Sequence, residues 1–414
     1  MDSTDTSELT DIPSIIPSIK VDLGQMGPPG SHWEAIDALR EEHRFFWNEE
    51  GPGYWVATRY DDIREAFQTP SVFSNHSIVA TNPDPVYRFL PSFTDPPEHM
   101  LYRHAMNGWF SPGSVAKYVP RLRELAAAEV AAVIADGGCD FVTTFGDNYS
   151  VKCFLTSMGL GLDDADFFVD AVHRLSGNSG GGDDAAGRMM AAWADIAGYW
   201  TRVLADRREH PLDPAVDFVT HLTNGKLGDR PMPDLDIVDV LVTLTLGSLD
   251  NLKIQLSWAL WHLATTPVDR ERIVADPSLI PGAVEEFLRV FPIVSMARKL
   301  TTDIDFHGCP MKKNDMVLLQ IQSATRDPRV FPDADKVIID RSPNRHMAFG
   351  ISEHRCLGSH LARAEMMVAL EEWNRAIPDY RIDPDAPPLE AIGGQIALPS
   401  LPLVWDVAAS SAGE

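Results

Sequence analysis

The sequence is short of positive charge. Its 414 residues hold 35 Lys and Arg against 60 Asp and Glu, giving a formal net charge of −25 and a pI of about 4.8. Phosphate backbones and anionic lipids need a basic face, so this balance argues against nucleic-acid and membrane-surface partners. Cysteine is scarce as well. Cys139, Cys153, Cys309 and Cys356 lie far apart and make no C-x-x-C pair, which speaks against a disulfide framework and a structural zinc site. No apolar run reaches the roughly 18–20 residues of a membrane span. The opening MDSTDTSELTDIPSIIPSIK lacks a basic stretch ahead of an apolar core. Neither a signal peptide nor an anchor is expected, and the expected location is the cytoplasm. Internal repeats are absent.

What is present is a globular composition, 44% hydrophobic and 23% charged, in a chain long enough to enclose a cofactor. Residues 1–30 are polar and proline-bearing and read as a loosely attached arm. One domain is expected over 31–407, with a short tail at 408–414. FFWNEEGPGYWVAT (residues 45–58) places two aromatic, β-prone runs around Gly-Pro-Gly and reads as a hairpin. Apolar residues at helical spacing run from Ser114 to a stop at Gly137 and Gly138. SGNSGGGDDAAG (residues 176–187) lies between helical patterns, either as a plain connection or as the hinge of a lid. Residues 233–266 form the longest helical pattern, apolar on nearly every side and so expected to cross the interior. Gly247, Ser248, Asp250 and Asn251 interrupt its centre. A mid-helix glycine costs about 1 kcal/mol, and buried Asp and Asn cost more unless paired, so the cluster needs a reason. The chain reads as mainly α with a small β component.

Residues 347–365, MAFGISEHRCLGSHLARAE, set one thiol in a glycine-bearing loop ahead of a helical pattern starting at Leu357. A helix N-terminus stabilises a thiolate. Such a thiolate could be a nucleophile, a metal ligand or an axial haem ligand. The order His354-Arg355-Cys356, with Arg363 the next arginine, misses the H-C-x5-R spacing of cysteine phosphatases. A Cys–His acyl-transfer site leaves the interrupted helix unexplained, and zinc needs more nitrogen and sulfur ligands nearby. Haem uses every neighbour: the thiolate as ligand, Phe349 against the ring, Gly350 and Gly358 for close approach, and His and Arg for the propionates.

The segment Phe349-Gly350-Ile351-Ser352-Glu353-His354-Arg355-Cys356-Leu357-Gly358 resembles the signature F-G-x-G-x-H-x-C-x-G of the cytochrome P-450 monooxygenases, with Ser352 in place of the second glycine. Other segments agree in order from about residue 40 to 405. Glu286-Phe287-Leu288-Arg289 resembles the family's E-x-x-R brace, and DPPEHMLYR (residues 95–103) the helix whose His and Arg reach the propionates. The resemblance implies a single domain of that fold containing haem b, with Cys356 as the iron ligand. His99, Arg103, Arg298 and His354 then hold the propionates. Gly247-Ser248-Leu249-Asp250-Asn251 resembles the core [AG]-G-x-[DE]-T of the central helix, which in the family opens locally to hold dioxygen. This makes Asp250 the acid that feeds protons inward and places Asn251 where threonine is usual.

VYRFLPSFTDPPEH (residues 86–99) is similar to the bacterial camphor-hydroxylase group, which makes Tyr87 a donor to a substrate oxygen. Thr243, Leu246, Gly247, Val294 and Ile78 or Val79 are expected around the substrate. A bacterial enzyme that hydroxylates 1,8-cineole also carries asparagine at the threonine position. The implied substrate is thus a compact bicyclic monoterpenoid with one oxygen, 1,8-cineole before camphor. The other implied partners are dioxygen and a ferredoxin with its NAD(P)H-dependent reductase, with Arg64 and Arg363 at basic docking positions. A peroxide-driven enzyme of the same fold, which usually carries arginine at the position of Asp250, and a non-enzymatic haem sensor are the alternatives.

Overall fold

The structure is a computed structural model and describes residues 17–20, 26–175 and 185–407. In chain order its α-helices are α1 (Ser31–Glu42), α2 (Tyr60–Phe67), α3 (Glu98–Met106), α4 (Pro112–Val133), α5 (Asp147–Met158), α6 (Ala165–Leu175) and α7 (Ala185–Glu209). They continue with α8 (Phe218–Thr223), α9 (Asp234–Thr265), α10 (Pro267–Ala275), α11 (Ile280–Val290), α12 (Ile321–Ala324) and α13 (Ser359–Ala376). Among the described residues, five sheets of two to six strands accompany them. The mainly helical expectation holds.

α9 is the axle. Pro233 starts it, Asp234 and Asp236 place negative charge in its first turn, and Pro267 prevents its continuation. At 32 residues it is about 48 Å long. Helices α5, α6, α7, α11 and α13 all pack against it, so the apolar run has no solvent face along most of its length. It runs unbroken through Gly247–Asn251, where the family resemblance led us to expect a local opening. The Asn251 Nδ2 amide donates to the Gly247 carbonyl at 2.8 Å, so that side chain serves the carbonyl within the helix itself.

The largest sheet runs, edge to edge, Ser18–Ile19, Phe45–Asn48, Tyr54–Ala57, Met316–Leu319, Met296–Leu300 and Phe73–Ser74. Its second and third strands are the expected hairpin, with Trp47 opposite Trp55. Gly53 has φ +80°, and a Cβ there would lie 2.3 Å from the Trp47 ring, so the turn admits only glycine. Arg298 lies opposite Val317 in this sheet, which carries its side chain toward the interior.

The described part of the first 30 residues is not loosely attached. Ser18–Ile19 pairs with Phe45–Asn48, and Met26–Gly27 pairs with Glu390–Ile392. The fully buried Glu390 carboxylate accepts from Gly30 N–H (2.9 Å), Ser31 Oγ–H (2.6 Å) and His32 N–H (2.6 Å). A carboxylate from the far end of the chain thus satisfies the first amides of α1. The 176–187 segment lies mostly outside the described residues, as does the 408–414 tail; α6 and α7 form on either side of the former. Among the described residues no helix is long and apolar enough to cross a membrane.

α13 lies along α4 and buries Glu365, where Tyr149 Oη of α5 donates to the Glu365 backbone carbonyl at 3.0 Å. Burial pushes the Glu365 carboxyl up to about 8. Folding therefore favours its protonated form, and the unfolded chain binds fewer protons between the ordinary carboxyl range and pH 8. The stability of the protein relative to a Glu365→Gln variant should fall by about 1.4 kcal/mol per pH unit between roughly pH 5 and 8, then level off. Urea midpoints of both proteins across that range check this; parallel curves would contradict it.

Candidate active site

The Cys356 loop is held by its own backbone. Cys356 N–H donates to the Phe349 carbonyl at 2.8 Å, closing the loop on itself. Gly350 has φ +65° and Ser352 φ +62°. α13 begins at Ser359 with Gly358 as its cap, two residues later than the sequence pattern indicates. The thiol opens into a cavity of about 280 Å³ bordered by Arg103, Asn107, Phe110, Arg355 and His360. Burial raises the Cys356 thiol, opposed by the Gly358 N–H and by Arg103, Arg363 and Arg355. The other three cysteines have no such opposing cations. Burial pushes Cys139 up to about 11, Cys309 up to about 12, and Cys153 well above its ordinary value. They are packing residues.

Beside the loop stand four polar side chains, His99, His354, Arg103 and Arg298, that form no ion pair with a carboxylate among the described residues. The His99 and His354 rings lie 3.8 Å apart, centroid to centroid. Buried His99 Nδ1 and His354 Nε2 have no hydrogen-bond partner among the described residues. Burial lowers His99 to about 4, helped by Arg103, and lowers His354 to about 2, helped by His99, Arg298 and Arg103. Both rings are therefore neutral near pH 7. Arg298, 2% exposed, donates only to the neighbouring Ala297 carbonyl and stacks 4.8 Å over Phe67. Burial lowers it to about 10. Arg103 donates to the Arg355 carbonyl at 2.9 Å and to Asn107 Oδ1 at 3.1 Å. Among the described residues no carboxylate forms an ion pair with either arginine. A buried guanidinium without a counter-ion is costly. The cluster suits a ligand that brings carboxylates.

Behind the loop, two adjacent acids of α11 act as anchors. Glu286 and Arg289, both fully buried, form a two-pronged pair with both contacts at 2.8 Å. Glu286 also accepts from Arg341 Nε (2.9 Å), Asn344 Nδ2 (3.0 Å) and Ile338 N–H (2.9 Å). Glu285 accepts from both Arg363 and His346. Despite burial, those two donors hold Glu285 down to about 2. Arg363 also lies 4.6 Å over the Phe349 ring. It is therefore committed to holding the loop and is not a free docking charge. Arg64 stays half-exposed, 3.1 Å from Asp61.

On α9, Asp250 pairs with Lys253 at 2.9 Å. Lys253 reaches Asp147 of α5 at 2.7 Å, and Asp147 meets His173 of α6 at 2.7 Å. Burial acts to lower the Lys253 ammonium, but the two acids more than offset it and raise it overall. Asn251 Oδ1 accepts from Gln395 Nε2 at 2.5 Å. A Cβ on Gly247 would meet nothing within 4 Å, so this face of α9 borders open space. Val294 bridges the backbone of Gln395. Thr243 Oγ1 is used within the helix, donating to the Asp239 carbonyl at 2.8 Å. Leu246 and Asp250 border a small cavity of about 30 Å³ shared with Val172 and Leu175 of α6. Tyr87 sits in an aromatic cluster, 5.5 Å from Phe89, 5.8 Å from Phe93 and 5.2 Å from Trp193 of α7.

The cytochrome P-450 family profile matches residues 274–376. The steroid C26-monooxygenase of Mycolicibacterium smegmatis is 30% identical over 397 residues, covering 94% of this chain and 96% of its own. Cytochrome P-450-terp of a Pseudomonas species is 31% identical over 347 residues, covering 77% of this chain and 80% of the relative. This chain belongs to the cytochrome P-450 family. The crystal structure of CYP101J2 superposes with a TM-score of 0.85 at 28% identity, over 96% of this chain and all (100%) of that one. CYP101C1 gives a TM-score of 0.86 at 26% identity, over 95% and 100%.

As a cytochrome P-450, the protein is a monooxygenase whose cofactor is haem b, bound in the family through a cysteine thiolate. The side chains here fit that group. Four polar side chains that form no ion pair with a carboxylate among the described residues answer two propionates, and one thiol stands in a loop whose Gly358 leaves nothing within 4 Å of an added Cβ.

Sequence reasoning missed Arg341, Asn344, Glu285, His346, Asp147, Lys253 and Gln395. A lysine inside the most apolar helix was a readable signal for Lys253. The others act across distances that no local pattern reports.

Ser352 holds a left-handed backbone that costs a non-glycine residue about 1–2 kcal/mol. Ser352→Gly should relieve it, offset in part by greater unfolded-state freedom, for a net gain of about 0.5–1 kcal/mol. A higher urea midpoint for the variant is the expected result; an unchanged or lower one would show that the Ser352 contact to Glu353 outweighs the backbone term.

Proposed function

We propose that this cytochrome P-450 hydroxylates a small bicyclic monoterpenoid carrying one oxygen, 1,8-cineole in preference to camphor. Dioxygen is the oxidant, and a ferredoxin with its NAD(P)H-dependent reductase supplies the electrons. The observation that carries the substrate reading is the Asn251 amide. It is a neutral polar group beside Gly247, with one Nδ2 hydrogen on the Gly247 carbonyl and the other available to a substrate oxygen.

In this reading Cys356 would ligate the haem iron as a thiolate, and His99, Arg103, Arg298 and His354 would hold the propionates. Phe349, Gly350 and Gly358 shape the loop, while Glu286 and Arg289 brace it. The bound haem supplies reductive activation of dioxygen and transfer of one oxygen atom to carbon. Asp250 moves protons inward from its place beside Lys253, and Asn251 orients substrate or water. Thr243, Leu246, Gly247 and Val294 form the apolar wall. Tyr87, in its ring cluster with Trp193, would donate to the substrate oxygen. The names of the relatives, a steroid C26-monooxygenase among them, span substrates of very different size. They support the reaction more than the substrate. The likeness to CYP101J2 and CYP101C1 supports a scaffold of the CYP101 type.

An optical titration of the ferric protein with 1,8-cineole and, in parallel, with camphor tests this. The expected result is a saturable low-spin to high-spin shift with both, at lower concentration for cineole. A response to neither would remove the monoterpenoid claim and leave the monooxygenase assignment standing.

A further inference from the structure

Gln395 lies outside every motif of the chain, on the turn between the strands Glu390–Ile392 and Ile396–Ala397. That turn is fixed from three sides. The Gly393 N–H donates to the Gln395 carbonyl at 3.0 Å, and the Ile396 N–H donates to the Ile293 carbonyl at 3.0 Å. Trp258, on α9, donates its Nε1–H to the Ile396 carbonyl at 3.0 Å. The Gln395 backbone bridges Val294. Its side chain is thus delivered to α9 from a rigid base and meets Asn251 Oδ1 at 2.5 Å.

The orientation of both amides follows from one acceptor. The Gly247 carbonyl can only accept, so the group 2.8 Å from it must be the Asn251 NH₂. Asn251 Oδ1 then faces Gln395, and Gln395 must present its own NH₂. Reversing Asn251 would set two oxygens against each other at Gly247 and two NH₂ groups against each other at Gln395. The pair therefore holds Asn251 in a single orientation, with one Nδ2–H committed and the other directed away from Gly247.

We infer that Gln395 is a positioning residue for Asn251. By donating to Oδ1, it fixes the Asn251 amide as a hydrogen-bond donor toward substrate. The substrate class favoured is one whose polar group only accepts, an ether or a ketone. This rests on the reading of Asn251 as a substrate-facing residue. Removing the Gln395 donor leaves the Asn251 amide held at the Gly247 carbonyl alone and its Oδ1 unanchored, which weakens that preference, although Gln395 touches the substrate through Asn251 alone.

The test is a double-mutant cycle on the haem-loaded protein: wild type, Gln395→Met, Asn251→Thr and the double variant, with Gln395→Glu as a near-isosteric control that cannot donate when ionised. Dissociation constants for 1,8-cineole and camphor are read from the spin-state shift, and urea midpoints are measured on the same proteins. Gln395→Met and Gln395→Glu are both expected to weaken binding about fivefold or more with Asn251 present, and less than about twofold in the Asn251→Thr background. Equal losses in both backgrounds, full binding by Gln395→Glu, or no loss in either background would overturn the inference. If wild type binds neither compound, the monoterpenoid reading fails on its own. The cycle is then decided by the urea midpoints: non-additive effects of Gln395→Met and Asn251→Thr support the pair, and additive effects overturn it.

Discussion

The position of the Cys356 thiol depends on two neighbouring carboxylates that pull in different directions. Glu286 turns inward and gathers Arg289, Arg341, Asn344 and the Ile338 amide, which ties the stretch before the cysteine loop to α11. Glu285 takes Arg363 and His346 and so ties the first turns of α13 and the start of the loop to the same helix. Arg363 then lies over Phe349, whose carbonyl receives the Cys356 amide. Glu286 and Arg289 are fully buried, and removing one member of that pair costs about 3–5 kcal/mol, because it strands the other. The loop is thus held rigidly before any cofactor contact is counted.

The polar cluster beside the loop has the reverse character. His99, His354, Arg103 and Arg298 form no ion pair with a carboxylate among the described residues, a cost that a ligand bringing carboxylates would offset. Burial lowers both imidazoles and Arg298 for the same reason: positive charge is unwelcome there until anionic charge arrives. One wall is satisfied internally and the other waits for two carboxylates. The cluster would suit a cofactor that brings two carboxylates.

Much of this was legible in the sequence because its chemistry is local. The hairpin at 45–58 follows from two aromatic runs around Gly-Pro-Gly. α9 follows from its unrelieved apolar pattern between prolines, and the cysteine loop from its glycines. Glu286 and Arg289 are three residues apart on one helix, so their pair could be anticipated. What could not be read comes from contacts between distant segments. Glu390 caps α1 from the other end of the chain, Asp147 meets Lys253 across two helices, and Gln395 reaches Asn251 from a C-terminal turn. Arg363 illustrates the limit. Its position suggested a surface charge, yet Glu285 draws it inward. Even the interruption at Gly247–Asn251 leaves the helix unbroken, because Asn251 bonds back to the carbonyl one turn earlier.

The central claim is that Cys356 binds the haem iron as a thiolate. The most direct measurement is the carbon-monoxide difference spectrum of the reduced protein, compared between wild type and Cys356→His. The account predicts the strongly red-shifted Soret band of a thiolate-ligated carbonyl complex in the wild type. It predicts loss of that band in the variant, which still takes up haem through His99, Arg103, Arg298 and His354. A red-shifted band that survives the substitution, or its absence from a haem-loaded wild type, would contradict the assignment.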